Sequence, residues 1–238
     1  MKLIAQVLVY NEGDYLKQAV EPWVRVCESI DILEGAFQTT VNLGYPKRST
    51  DLTIDVARGL QLVYNNVTLK HHNDWNEPIL RNNHLFETVK KYGRDDTCLF
   101  ILDGDEVYTE EEVKKCVEQV NSQWEQYNRW WVYMKNYIGE RDYYEGFHVP
   151  RFAKLKNALG FDSYNGLAYS DGVKETDIAG VCPKHISWWP LDKAARKIEW
   201  QTKALGWTCS FKVEDGKVVL NDEYYQQMNK ARPRIYHE

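Results

Sequence analysis

The chain predicts an α/β fold: a mostly parallel sheet in the first half, joined to a smaller mixed lobe. Three observations lead there. Short apolar runs recur at residues 3–9, 29–33 and 99–102; helix-like spacing fills the gaps between them; and after residue 128 the pattern changes to a period of two.

Residues 3–10 read as a buried strand entering the polar turn Asn11-Glu12-Gly13-Asp14, followed by a helix over 14–27. Residues 29–33 form a second strand that ends in Glu34-Gly35. Residues 36–48 contain Gly, Pro and Thr without a period and read as a loop. Ser49, Thr50 and Asp51 offer N-caps for a helix carrying Leu52, Val56 and Leu60. A third strand covers 67–70. Pro78 opens a helix with Ile79, Leu80, Asn83, Phe86 and Val89 on one side, stopped by Gly93. Leu99-Phe100-Ile101-Leu102 is a short, fully buried strand. After it, Thr109 and Glu112 form a capping-box pair ahead of Val113, Cys116, Val117, Val120 and Trp124 at helical spacing. Residues 129–138 alternate, with Trp130, Val132 and Met134 on one face and Trp131, Tyr133 and Tyr137 on the other. A last amphipathic helix spans 190–205, and 212–220 reads as a hairpin around Asp215-Gly216. No repeat or linker divides the chain. We expect one domain over 1–238 with two functional halves, 1–106 and 107–238.

Bulk properties exclude several classes. A net charge of −5 gives no global basic field of the kind that marks nucleic-acid binders. No apolar run approaches the roughly 20 residues that span a bilayer, and the apolar start runs into an acidic turn without a cleavage signal, so a cytoplasmic protein is expected. Five cysteines without a Cys-x-x-Cys pair argue for buried free thiols over a zinc ribbon. Nine Trp and sixteen Tyr exceed ordinary core needs and offer faces on which sugars stack.

The chemistry concentrates where the 99–102 run ends in Asp103-Gly104-Asp105-Glu106. Carboxylates at the C-terminal end of such a strand sit where open α/β sheets bind ligands. Hard oxygen donors in a tight turn suit Mg²⁺ or Mn²⁺ holding a phosphate, with Asp103 and Asp105 as ligands. Tyr10-Asn11-Glu12 and Glu34 end the first two strands on the same rim, where an amide, carboxylates and an aromatic ring can read a base or ribose. Arg81 opens the helix before the acidic strand and suits either a phosphate or Asp103. His185 is a candidate nitrogen ligand completing an Asp/His metal site. The adjacent His71 and His72 read as ordinary polar positions.

In that order these elements resemble the family 2 glycosyltransferases, which have the GT-A fold. The resemblance covers about residues 1 to 206. It rests on Tyr10-Asn11-Glu12, the acid Glu34, the spacing of Ser49, Asp51 and Thr53, the pair Arg81-Asn82, the turn from Asp103 to Glu106, and His185 ahead of a Lys-rich helix. It implies transfer, with inversion, from a nucleotide-diphosphate sugar, most simply a UDP-sugar, held by Mn²⁺ or Mg²⁺. Under it Tyr10, Asn11, Glu12, Glu34, Arg81, Asp103 and Gly104 bind the donor, and Gly104 leaves room for it against the backbone. Asp103, Asp105 and His185 attend the metal. The family's base, a carboxylate before the histidine, is matched best by Asp171, with Asp162, Glu175 and Asp177 as rivals. Trp130, Trp131, Tyr133 and Tyr137 would line the acceptor side in part. The acceptor is open: a glycan, a lipid-linked sugar, a protein side chain or a modified DNA base.

Two other classes compete. A sugar-1-phosphate nucleotidyltransferase would want a basic Gly-rich loop after the first strand, where this chain has an acidic one. A non-catalytic Ca²⁺-dependent carbohydrate-binding protein would use the acids and aromatics, but needs no ligands on three strand ends.

Overall fold

The computed structural model describes residues 1–137, 143–161, 166–186, 191–204, 211–214 and 217–221. In chain order these form β1 (Lys2–Val9), α1 (Leu16–Val20) with a 3-10 turn (Glu21–Trp23), β2 (Ser29–Glu34), α2 (Gln38–Val41), α3 (Thr53–Val63), β3 (Val67–His71), α4 (Glu77–Tyr92) and β4 (Thr97–Asp103). There follow β5 (Glu106–Val107), α5 (Glu110–Ser122), β6 (Arg129–Tyr137), β7 (Tyr143–Lys154), β8 (Ala158–Phe161), β9 (Leu167–Tyr169), β10 (Glu175–Asp177), β11 (Lys184–His185), α6 (Leu191–Ala204), β12 (Phe211–Glu214) and β13 (Lys217–Leu220).

Among the described residues the main sheet runs β3-β2-β1-β4-β7-β6-β11-β5, with β10 beside β6. β3, β2, β1 and β4 are parallel, as the strand–helix alternation requires. β7 then runs antiparallel to β4. This is the expected α/β class: a largely parallel half continued by a mixed one. The chain divides into two compact units, residues 1–136 with 145–186, and residues 137–144 with 187–238. In the second, α6 packs on the antiparallel β12–β13 pair; the Asp215-Gly216 turn lies outside the described residues.

Alternation along the strands sorts the core. Leu3, Ala5, Val7 and Val9 of β1, Ile30 and Ile32 of β2, and Cys98, Phe100 and Leu102 of β4 face α1, α3 and α5. Here the aromatic excess has a structural use: Phe100 stacks on Phe152 at 4.6 Å and meets Trp23 at 4.1 Å. The capping box at Thr109 and Glu112 starts α5, which buries Val113, Cys116 and Val120. Cys27, Cys98 and Cys116 are buried free thiols and Cys182 is half-buried; Cys209 lies outside the described residues.

The other face is partly polar, and it corrects the sequence reading of α4. Gln6, Asp31 and Thr68 align across β1, β2 and β3 on this side. The helix above answers them with Arg81, His84 and Thr88, beside buried Leu80 and Leu85, so Ile79 and Phe86 turn outward. His84 Nε2 lies 2.7 Å from Asp31 Oδ2, Thr68 donates to Asp31 Oδ1, and Arg81 Nη1 donates to Gln6 Oε1 at 2.8 Å. Burial alone would raise the Asp31 carboxyl, but His84, Thr68 and Lys70 outweigh it and hold it at about 2. On β6, where one strand face was expected to be core, Trp130 is fully buried with Val132 and Met134. Of the aromatics expected in part on the acceptor side, only Trp131 and Tyr133 remain on the outer face of the first unit.

Candidate active site

Because β1, β2 and β4 are parallel neighbours, their C-terminal ends share one rim. Leu8 pairs with Asp103 and Val9 with Glu34. Tyr10, Asn11, Glu12, Glu34 and the Asp103 turn therefore converge there, at the carboxyl ends of the strands where open α/β sheets place ligands.

The turn is built tightly. A Cβ on Gly104 would lie 2.6 Å from Val9 Cγ1 and 3.2 Å from Glu12 Cβ, and its N–H donates to Leu8 O at 3.0 Å. Glycine is needed here so that the turn can close on the Glu12 loop.

Asp103 is clamped. Arg81 Nη2 donates to its Oδ1 at 3.3 Å and Arg151 Nη2 to its Oδ2 at 3.0 Å. Arg81 also bonds Glu77, and Arg151 also bonds Glu106. Both arginines are buried, as is Glu106. Burial opposes charge on Asp103, yet Arg151 and Arg81 hold its carboxyl below the usual range. Burial pushes Glu106 up to about 8, against the pull of Arg151 and with help from Asp103 and Asp105. Asp103 is thus a carboxylate held by two guanidiniums.

Asp105 and His185 form the other half. β11 pairs with β5, aligning His185 with Glu106 and bringing its Nε2 to 3.7 Å from Asp105 Oδ1. Asn136 Oδ1 accepts from Nδ1 at 2.5 Å, which puts the lone pair on Nε2, the nitrogen facing Asp105. Among the described residues no three His, Cys, Asp or Glu side chains stand together as a metal-holding group. The donor chemistry still fits a divalent cation with one carboxylate and one imidazole, since Mg²⁺-type sites take their remaining ligands from water and substrate phosphates.

Other expected roles change. Glu34, expected to read a base, is fully buried and both of its oxygens are engaged, Oε1 by the Ser49 N–H at 2.7 Å and Oε2 by His71 Nδ1 at 2.7 Å. Tyr10 donates its hydroxyl to Pro46 O at 2.8 Å. Asn11, at φ 57°, accepts the Thr50 N–H at 2.8 Å. Glu12 and Gly13 donate backbone N–H bonds to Thr53 Oγ1 and Asp51 Oδ2. These side chains fasten the loop before α3 onto the rim; the spacing of Ser49, Asp51 and Thr53 serves that lock.

Asp171 does not join them. It shares a cavity with Lys154, which pairs with Cys98 at the opposite end of β4. Five residues of strand separate Cys98 from Asp103, about 16 Å. Glu175, a rival, is held by Arg129 and by Trp131 Nε1. Asp162 lies outside the described residues. Asp177 pairs with Trp131, five residues along β6 from the Asn136 that pairs with His185; its Oδ1 lies 3.0 Å from His148 Nδ1, and His148 meets the Tyr133 ring at 5.1 Å. Phe147 and Val149 pack in the same core as Phe152, so the alternation of β7 slips by one residue around Pro150. The slip puts His148 on the face of Arg151, and neighbouring Phe147 meets the His185 ring at 5.2 Å.

No family model matches this chain, and no curated protein matches it. Among solved structures, S. aureus TarS (residues 1–349) is 15% identical, with 60% of this chain and 38% of that chain covered and a TM-score of 0.42. A longer TarS structure is 15% identical over 60% and 23%, at 0.41. The 4-diphosphocytidyl-2C-methyl-D-erythritol synthase is 9% identical over 65% and 75%, at 0.44. The chain spans well under half the length of TarS. With likenesses this distant, function rests on the chemistry of the rim.

Proposed function

We propose that the protein is a metal-dependent glycosyltransferase of the GT-A type, taking a nucleotide-diphosphate sugar, most simply a UDP-sugar, as donor. The observation that supports it is the juxtaposition of Asp105 with His185 beside an Asp103 locked by two arginines, at the rim where parallel strands end. Asp105 and His185 would hold Mn²⁺ or Mg²⁺. When bound, the cation supplies Lewis-acid stabilisation of charge on the leaving diphosphate. Asp103, fixed by Arg81 and Arg151, would orient the ribose. Tyr10 and the Asn11–Gly13 loop bound the nucleoside end, with the half-exposed Tyr10 ring as a stacking surface.

We assign the proton acceptor to the His148–Asp177 pair in place of Asp171. Asp177 holds Nδ1, which orients Nε2 to take a hydroxyl proton, while Trp131 and Tyr133 flank an incoming sugar. Inversion follows if attack is direct.

Two measurements test this. A panel of UDP-, GDP- and CDP-sugars, incubated without acceptor, is expected to show hydrolysis of at least one UDP-sugar that needs Mn²⁺ or Mg²⁺; metal-independent or absent turnover across the panel overturns the reading. His148→Gln is expected to slow that turnover by about 10²-fold with affinity for UDP and Mn²⁺ unchanged. Equal rates would move the base elsewhere.

A further inference from the structure

At the far end of the sheet from Asp103, the segment entering β6, the end of β7 and the turn after β9 enclose a cavity of about 220 Å³. It would hold several waters at about 30 Å³ each, so a phosphate-sized ion fits. Three lysines line it, Lys154, Lys156 and Lys174, together with Asn157, Asp171 and Glu125.

Lys154 is nine-tenths buried. Its Nζ donates to Trp124 O at 2.9 Å and stands 4.6 Å over the Trp124 ring. Neither partner carries a formal charge, although buried cations are as a rule matched by an anion and an ammonium has three donors. Lys156 and Lys174 stand exposed at the mouth. Among the described residues none of the three forms an ion pair, even with Glu125 and Asp171 in the same walls; Asp171 Oδ2 accepts from Asn157 Nδ2 at 3.1 Å. The walls themselves are pinned. Asn128 donates to Gly172 O at 3.0 Å and accepts the Lys174 N–H at 2.8 Å, and Tyr169 donates its hydroxyl to Asn128 O at 2.7 Å.

We propose that this cavity is a second anion site, built to take a phosphate group at a distance of about 16 Å along β4 from the donor rim. Lys154 supplies the fixed charge, and Lys156 and Lys174 close on the ligand from solvent through charge-assisted hydrogen bonds. Inorganic phosphate and a phosphate monoester share this chemistry.

Titrating the ¹⁵N-labelled full chain separates them. With potassium phosphate or glucose 6-phosphate, saturable shifts are expected at backbone amides of residues 125–128, 154–157 and 171–174, beyond those caused by potassium chloride at equal ionic strength. UDP with Mn²⁺ leaves these amides still, so failure here is distinguishable from failure of the donor assignment. Tighter response to glucose 6-phosphate identifies a monoester ligand, equal response phosphate itself, and either supports the site. The double variant Lys156→Gln with Lys174→Gln, both exposed positions, is expected to weaken phosphate at least tenfold. Shifts no larger than those of chloride, or unchanged in the double variant, overturn the proposal.

Discussion

Asp105→Ala is expected to reduce Mn²⁺-stimulated hydrolysis of the donor by about 10³-fold, the rate equivalent of roughly 4 kcal/mol. Mn²⁺ bound only by the folded state raises the wild-type melting temperature by mass action. The variant should show no such rise. Hydrolysis assayed with and without Mn²⁺, alongside melting curves under both conditions, checks both halves. An Asp105→Ala protein that still turns over with Mn²⁺ dependence would remove this carboxylate from the metal site.

The parallel half was legible because its signals are local. The apolar run at 99–102, the capping box at Thr109 and Glu112, and the punctuation by Pro78 and Gly93 each act within a few residues, and each reappears in the structure. What could not be read was the polar row under the sheet. Gln6 and Asp31 interrupt apolar strands and look like weak points in sequence. Only the register of β1, β2 and β3 puts them in line with Thr68 and beneath Arg81 and His84. That row also decides which face of α4 turns inward, which is why an apolar reading misjudged Ile79 and Phe86.

The site divides in the same way. Asp103, Asp105 and His185 have a motif around them, and strand ends alone were enough to bring the two aspartates to one rim. Arg151 has no such signal. It lies in an ordinary strand, and it reaches Asp103 only because β7 runs antiparallel to β4 and slips around Pro150. His148 reaches the same face by the same slip. Asp171 was chosen by its distance along the chain, and chain distance carries no information about which end of β9 faces the rim. Glu34 shows the opposite difficulty. Its position at a strand end was correct, but an acid there binds whatever donors are near, and the Ser49 amide and His71 are nearer than any ligand.

Arg151→Met should therefore be among the most damaging single changes in the protein, costing about 3–5 kcal/mol, the usual penalty for stranding a buried charge. The mechanism is specific. Glu106 is fully buried, its Oε1 is bonded to Arg151, and its Oε2 has no hydrogen-bond partner among the described residues. Above about pH 8, where Glu106 is ionised, losing the guanidinium leaves that carboxylate in low dielectric, and it also frees one side of Asp103. If the cost is uncompensated charge rather than lost packing, neutralising the carboxylate should return much of it. The double variant Arg151→Met with Glu106→Gln is expected to recover more than half of the loss, while Glu106→Gln alone is close to neutral. Urea midpoints of the four proteins at pH 9, where Glu106 is ionised, and at constant m complete the cycle. Additive penalties would assign Arg151 to packing. Recovery would establish that the rim is held by a buried charge cluster in which Arg151 balances Glu106 and Asp103.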